Sequence, residues 1–378
     1  MIPVAHAHLY VSAASHPGQR GKGNEDRYGV SAYRVEDEHQ TPALLAVLAD
    51  GIGGHRAGEV AAELAVETIS RMVAENDASD PLGALQQAII QTSRIIHVRA
   101  QADPSLTGMG STVACALIIG MRLFIAAVGD SRIYLGRNHA LTQLTVDHTW
   151  VQEAIERGKL TPEQARKHPN AHVIRRYLGS PQDVVPDIRL RLHPEENDRR
   201  AEANQGLSLL PGDLLLLCSD GLTDLVSDAE ILAALETRKL QAALDELVLL
   251  ANRRGGHDNI TIVAVRVPLP EVATIPLKRS RQRPRPVMIG LLTAGVLLAI
   301  LLGIFNLWRS LERLGHGATP TIQPAITGAV LSTALPVFTP TRSAVASQPA
   351  SRYSPSPATP QVGAATFTPW PTNTNQPP

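Results

Sequence analysis

Short apolar runs recur along the first 267 residues, at Leu44–Ala49, Thr112–Ile119, Arg122–Val128, Leu214–Cys218 and Ile260–Val267. Their length and their Val, Ile and Leu content predict β-strands. Between them, apolar residues at helical spacing predict helices over 58–76, 81–101, 149–158 and 228–253. Ser227 with Glu230 reads as a capping box at the start of the last helix, and Gly255-Gly256 as its stop. Thr161-Pro162-Glu163 reads as an N-cap with proline at the first helical position. The N-terminal stretch to Gly18 has neither a basic start nor a continuous apolar core, so it predicts a first strand rather than a signal peptide. No internal repeat is visible.

The pattern changes beyond 267. Val287–Trp308 is 22 residues long without a charge or a polar face. As a helix it spans about 33 Å, close to the ~30 Å hydrocarbon thickness of a bilayer. A transmembrane helix is therefore predicted over 287–308, with Trp308 as an interfacial anchor. Residues 268–286 form a basic, proline-rich linker carrying Lys278, Arg279, Arg281, Arg283 and Arg285, whereas only Arg309 and Arg313 follow the helix closely. The positive-inside rule then puts residues 1–286 in the cytoplasm of a single-pass protein of the cell membrane, and the basic cluster would attract anionic membrane lipid. Residues 309–378, rich in Pro, Thr and Ser, read as a disordered tail outside the cell.

Charge narrows the function classes. Lys+Arg and Asp+Glu both number 35, so there is no basic excess for nucleic acid, and a metal-dependent nuclease is disfavoured. Cys115 and Cys218 each lie inside an apolar run and read as buried thiols of a cytosolic domain, with no disulfide framework and no paired-cysteine metal spacing.

The informative pattern is where the acids fall. LLAVLAD ends in Asp50, LFIAAVGD in Asp130 and LLLLCSD in Asp220; Asp258 stands just before the last strand, and Asn24-Glu25-Asp26 follows a loop of glycines and basic residues. An apolar strand carries its terminal residue to the edge of a buried core, where a carboxylate is costly unless paired or bound to a metal. One such acid followed by glycine is ordinary turn chemistry; several at strand ends are not. No comparable set of basic residues is threaded among these strands. Oxygen ligands select hard cations, so Mg²⁺ or Mn²⁺ is favoured over zinc, and two bridged ions can clamp a water and a phosphoryl oxygen together. The 13 histidines show no HExxH-like spacing. Asp50 and Asp220 are each followed by glycine, which would let the backbone approach a ligand closely. The run LLAVLAD-GIGGHRAG also resembles a dinucleotide-binding turn, but Arg56 occupies the last glycine's place.

These motifs resemble the PPM family of Mg²⁺/Mn²⁺-dependent Ser/Thr phosphatases, the type 2C enzymes, in its bacterial form. GNEDRYG, LADGIGGHRAGEVAA, GMGSTV, AVGDSRIYL, LLLLCSDGLTD and GGHDNITIV occur in the family's order. The resemblance implies an α-β-β-α sandwich of two antiparallel sheets flanked by helices, with the metals in a cleft between the sheets' ends. It implies that Asp50 bridges two ions and that Gly51 offers its carbonyl to one. Asp220 and Asp258 would bind the other, Glu25 or Asp26 would contribute nearby, and Asn259 would support the site. Asp130 matches a third, weaker metal position shared with Asp220. Residues 146–179 look like the family's flap beside the cleft.

The implied reaction is hydrolysis of phosphoserine and phosphothreonine on proteins by a metal-bridged hydroxide, without a phosphoenzyme. A bacterial Ser/Thr kinase and its substrates would be the partners. One departure concerns the arginine that holds substrate phosphate in the family: its place is Gly21, between Arg20 and Lys22. Either could reach a phosphate, and Arg20 is the better bidentate clamp. The general acid is not fixed, His55 reading as a surface histidine. The charged insert 193–206 reads as a surface loop. A rival of another class is a catalytically silent, phosphatase-like sensing or scaffold domain at the membrane, which predicts missing metal acids. None is missing.

Overall fold

The strand Pro42–Ala49 divides its side chains between two cores. Ala43, Leu45, Val47 and Ala49 pack with helical residues such as Ala65, Ile69, Leu85 and Ile89, whereas Leu44, Ala46 and Leu48 pack with Leu215, Leu217, Val263 and Val265 of a second sheet. Alternate residues of a strand point to opposite faces, so a strand buried on both must be apolar throughout. The same division explains the other runs: Leu214, Leu216 and Cys218 turn away from the first sheet, onto Ile231, Leu235, Leu244 and Leu247. Helices, sheet, sheet and helices therefore form four layers.

The computed structural model describes residues 1–21, 23–53, 56–165, 167–270 and 301–307. In chain order the strands are β1 Ile2–Pro3, β2 Tyr10–His16, β3 Arg27–Arg34, β4 Pro42–Ala49, β5 Gly51–Ile52, β6 Gly110–Ser111 and β7 Val113–Ile119. They continue with β8 Arg122–Val128, β9 Arg132–Arg137, β10 Ala140–Gln143, β11 Leu207–Ser208, β12 Leu214–Cys218 and β13 Ile260–Arg266. One sheet has the order β1-β3-β4-β7-β8-β11 and the other β10-β9-β12-β13-β2, with β5 and β6 forming a small ribbon. Every pairing is antiparallel. The helices are α1 Arg56–Ala74, α2 Pro81–Ala102, α3 Trp150–Glu156, α4 Pro162–Ala165, α5 Asp198–Ala203, α6 Asp220–Thr223, α7 Asp228–Thr237 and α8 Leu240–Arg253. Cys115 and Cys218 are free and buried.

Two sequence expectations change. The single helix predicted over 228–253 is two, α7 and α8, broken at an extended Arg238. Continuing the buried stripe of Ile231, Ala234 and Leu235 along one helix would turn Arg238, Ala242 and Asp245 inward. The break instead re-phases the chain so that Ala243, Leu244 and Leu247 face the core. The insert 193–206 is not simply a surface loop. It contains α5, capped by Asn197, and Ala201 within it is fully buried, its carbonyl accepting from the Leu190 amide at 3.1 Å.

Residues 301–307 are helical, with Leu301, Leu302, Ile304, Phe305 and Leu307 exposed. Among the described residues no helix is long and apolar enough to cross a membrane. The rest of the predicted span, together with most of the linker and the tail, lies outside the described residues.

Candidate metal centre

Strand register brings the acids together. β3 and β4 pair Arg27 with Ala49, so Asp26 and Asp50 leave that sheet side by side. β12 and β13 pair Cys218 with Ile262, which puts Asp220 and the Asp258 loop at the matching end of the other sheet. β8 delivers Asp130 two residues past Val128.

Hydroxyls and amides fix these ends. The Asp50 amide donates to Thr112 Oγ1 at 3.1 Å, and Ser111 Oγ donates to the Asp50 carbonyl at 3.0 Å. Thr112 Oγ1 also shares a 2.7 Å hydrogen bond with Ser131 Oγ, tying the Asp50 and Asp130 loops together. Ser219 Oγ donates to Asp26 Oδ2 at 2.8 Å. Asn259 joins three segments: its Oδ1 accepts from the Glu25 amide at 2.7 Å, and its Nδ2 donates to the carbonyls of Pro17 and Gly23 at 3.0 and 3.2 Å.

The carboxylates feel one another strongly. Burial, then the charges of Asp26, Asp220, Asp130 and Asp258, push Asp50 well above the ordinary carboxylate range. Burial, then Asp130, Asp224, Asp258 and Asp26, does the same to Asp220. Asp26 is pushed up to about 6, burial and the Asp258 charge outweighing hydrogen bonds from Thr261 and Ser219. Asp130 rises to about 7, chiefly by burial and then by the charge of Asp147, with Arg132 pulling the other way. Arg132 is already engaged by Asp147, at 3.0 Å from Nε and 2.7 Å from a terminal nitrogen.

Three buried carboxylate oxygens, Oδ1 of Asp26, Asp130 and Asp220, meet no hydrogen-bond partner among the described residues. Buried anionic oxygens without donors are costly. A convergent set made only of oxygens is the coordination that Mg²⁺ or Mn²⁺ takes. The residues present therefore fit hard divalent cations.

Of the residues expected from sequence, Asp26, Asp50, Asp130, Asp220 and Asp258 form this cluster. Gly51 lies beside it in β5, paired with Ser111. The sequence left Glu25 and Asp26 as alternatives. Asp26 lies within the cluster, and the Glu25 carboxylate abuts Gly58, which in turn lies against the Gly51 backbone. Arg20 is exposed in a loop that Gln19 fastens to Gly256 at 2.9 Å, and among the described residues no acid pairs with it. Lys22 and His55 lie outside the described residues. Gly221 has a role that differs from close approach to a ligand: a Cβ there would run into the Asn259 carbonyl, so the glycine lets the Asp220 and Asp258 loops close on each other.

Sequence reading missed two residues that stand beside this cluster of oxygens. His172, Asp220 and Asp224 offer ligand atoms all within 4.8 Å of one another, and His172 Nδ1 lies 3.1 Å from Asp224 Oδ2. The spacing of Asp220 and Asp224, one helical turn apart in SDGLTD, is a signal that could have found the second acid. His172 comes from residues 146–179 and has no such signal.

Two stacked antiparallel sheets thus carry buried, donor-poor carboxylates at their matching ends, an arrangement that suits hard divalent cations. Residues 15–256, more than half of the chain, match the family model described as protein phosphatase 2C, and the chain belongs to that family. It is 39% identical over 232 residues to the Serine/threonine protein phosphatase PstP of Mycobacterium tuberculosis, a match spanning 61% of this chain and 42% of that relative. The chain thus spans less than half the length of the mycobacterial relative. With the Serine/threonine phosphatase stp of Listeria monocytogenes it shares 35% identity over 247 residues, 64% of this chain and 89% of that one. The solved catalytic domain of PstP, in complex with two manganese ions, matches with TM-score 0.56 and 34% identity over 69% of this chain and 98% of that one.

Proposed function

We propose that residues 1–267 hydrolyse phosphoserine and phosphothreonine monoesters on proteins with Mn²⁺ or Mg²⁺ as cofactor. The observation that carries this reading is the set of buried carboxylate oxygens without donors at Asp26, Asp130 and Asp220. Asp26, Asp50, Asp220 and Asp258, with the Gly51 carbonyl, would hold two ions; Asp130 with Asp220 would hold a third. When bound, such ions supply an activated water and offset charge on the phosphoryl oxygens. The chain's own residues do the positioning. Thr112 and Ser111 fix Asp50 from either side of its peptide, Ser219 fixes Asp26, and Asn259 holds the Pro17–Gly23 loop against the cleft. Arg20, exposed in that loop, is the candidate clamp for substrate phosphate. The silent-scaffold alternative is disfavoured because every acid the chemistry needs is present.

The direct test is phosphate release from a phosphothreonine peptide by the full-length protein. Release is expected with Mn²⁺, is expected to stop with chelator and to return when Mn²⁺ is restored. Absence of release both with Mn²⁺ and after its restoration, with Mn²⁺ bound in each case, would favour the scaffold reading.

For the remainder, the reading is a cytoplasmic linker at 268–286, a membrane span at 287–308 and an external tail at 309–378. The 22 uncharged residues and the apolar surface of the 301–307 helix support it. Anionic lipid would engage the linker. A membrane Ser/Thr kinase and its substrates would be the partners, with no role for nucleic acid. Protease added outside intact cells is expected to trim only residues beyond about 309. Cleavage within 1–267 would overturn the orientation.

A further inference from the structure

Gly129 joins β8 to Asp130 with φ at +105°, and a Cβ there would come within 2.6 Å of the Thr112 side chain. One residue holds its peptide from both sides. The His148 amide donates to the Gly129 carbonyl at 2.9 Å, and the Gly129 amide donates to His148 Nδ1 at 3.1 Å. Because Nδ1 accepts, the ring proton sits on Nε2, which donates to Asp187 Oδ2 at 3.1 Å. The two side chains are only 3% and 7% exposed, so this pair is buried.

The chain of contacts continues outward. Asp187 is moored to β8 by two 2.9 Å backbone bonds with Ala127, and its carboxylate receives Arg189 Nε at 3.0 and 2.9 Å. Arg189 also reaches Asp198, the first residue of α5, at 2.9 Å and Glu156, the last of α3, at 3.5 Å. On its other side His148 opens residues 146–179: its carbonyl accepts from the Arg175 amide at 2.7 Å, and the next amide but one, that of Trp150, donates to Val173 at 2.9 Å. His148 thus bonds in space to the loop bearing Asp130 on one side and to the flap on the other.

We propose that His148 is a positioning residue that couples the flap to the Asp130 loop, with Asp187 and Arg189 relaying the placement of α3 and α5 to Gly129. This rests on the metal reading given above. Packing alone would make any isosteric loss at His148 equivalent; coupling makes its two nitrogens do different work. An Asn side chain places its amide near Nδ1, and a Gln side chain places its amide near Nε2. His148→Asn therefore keeps an acceptor for the Gly129 amide and loses Asp187, whereas His148→Gln does the reverse.

The test uses full-length protein with two readouts, calorimetric Mn²⁺ binding and amide hydrogen exchange at Trp150 and Arg175 with and without Mn²⁺. His148→Gln is expected to weaken Mn²⁺ binding about tenfold, the usual size of an outer-shell loss. His148→Asn is expected to bind Mn²⁺ within about threefold of the wild type while losing most of a roughly fivefold slowing of flap exchange on Mn²⁺ binding. Equal effects of the two variants on Mn²⁺ binding, or a slowing that survives in His148→Asn, would overturn the coupling. Should neither variant fold, Asp187→Asn must abolish the slowing, and an unchanged slowing there overturns the proposal. Asp50→Asn separates the two levels. If it too binds Mn²⁺ like the wild type, the metal reading itself fails; if it alone loses binding, only the coupling fails.

Discussion

Asp50→Asn is expected to lower Mn²⁺-dependent hydrolysis of a phosphothreonine peptide by about a thousandfold or more, the scale on which removal of a central electrostatic group acts in catalysis. The change is nearly isosteric, so no cavity forms between β4 and the Thr112–Ser111 corner that fixes its peptide. What it removes is the charge that Asp26, Asp220, Asp130 and Asp258 all oppose. In metal-free protein that relief is expected to leave the melting temperature unchanged or raised, because one of several mutually repelling buried charges is gone. Loss of turnover with an intact or higher melting temperature thus separates a ligand role from a folding role. Wild-type turnover in this variant would remove Asp50 from the centre of the chemistry.

The second large effect is a gap in melting temperature, with and without Mn²⁺, that widens as pH rises from about 5 to about 8. Asp26 and Asp130 are raised to about 6 and about 7 from an ordinary 3.8, mainly by burial. A carboxyl raised in the folded state favours folding when protonated. Its contribution is fully present below about pH 3.8 and is lost as pH climbs through 6 to 7. The metal-free protein therefore loses stability over that window, while the ionised carboxylates bind Mn²⁺ better. At about 1.4 kcal/mol per pKa unit, the part of the Asp26 shift that lies above pH 5 corresponds to about 1.4 kcal/mol, or roughly 3–6 °C in a domain of this size. The check is scanning calorimetry at several pH values in saturating Mn²⁺ and in chelator. A gap independent of pH would mean that these acids do not share the ion.

Much of the site could be read from sequence because its ligands sit at strand ends, and strand ends are marked by where an apolar run stops. Asp50, Asp130 and Asp220 each close such a run, and Asp258 opens one. The helical break at Arg238 could not be read the same way. Propensity favours one helix through 228–253, and only the direction of the second sheet decides that the apolar stripe must change phase there. Ala201 was hidden for a similar reason: a small residue in a charged segment carries no burial signal until Leu190 is placed against it.

The amino-acid sequence by itself determined the strands, the acids that end them, the oxygen-only character of the ligand set and the family resemblance, because each is a local property of residue type and spacing. Tertiary structure decided which acids share one electrostatic field, that Asp26 enters it, that Gly221 serves loop closure, and that His172 and Asp224 stand beside Asp220. Charge interaction and steric closure depend on distance through space, and residues such as His172 and Asp220, far apart along the chain, acquire that distance only when the sheets have stacked.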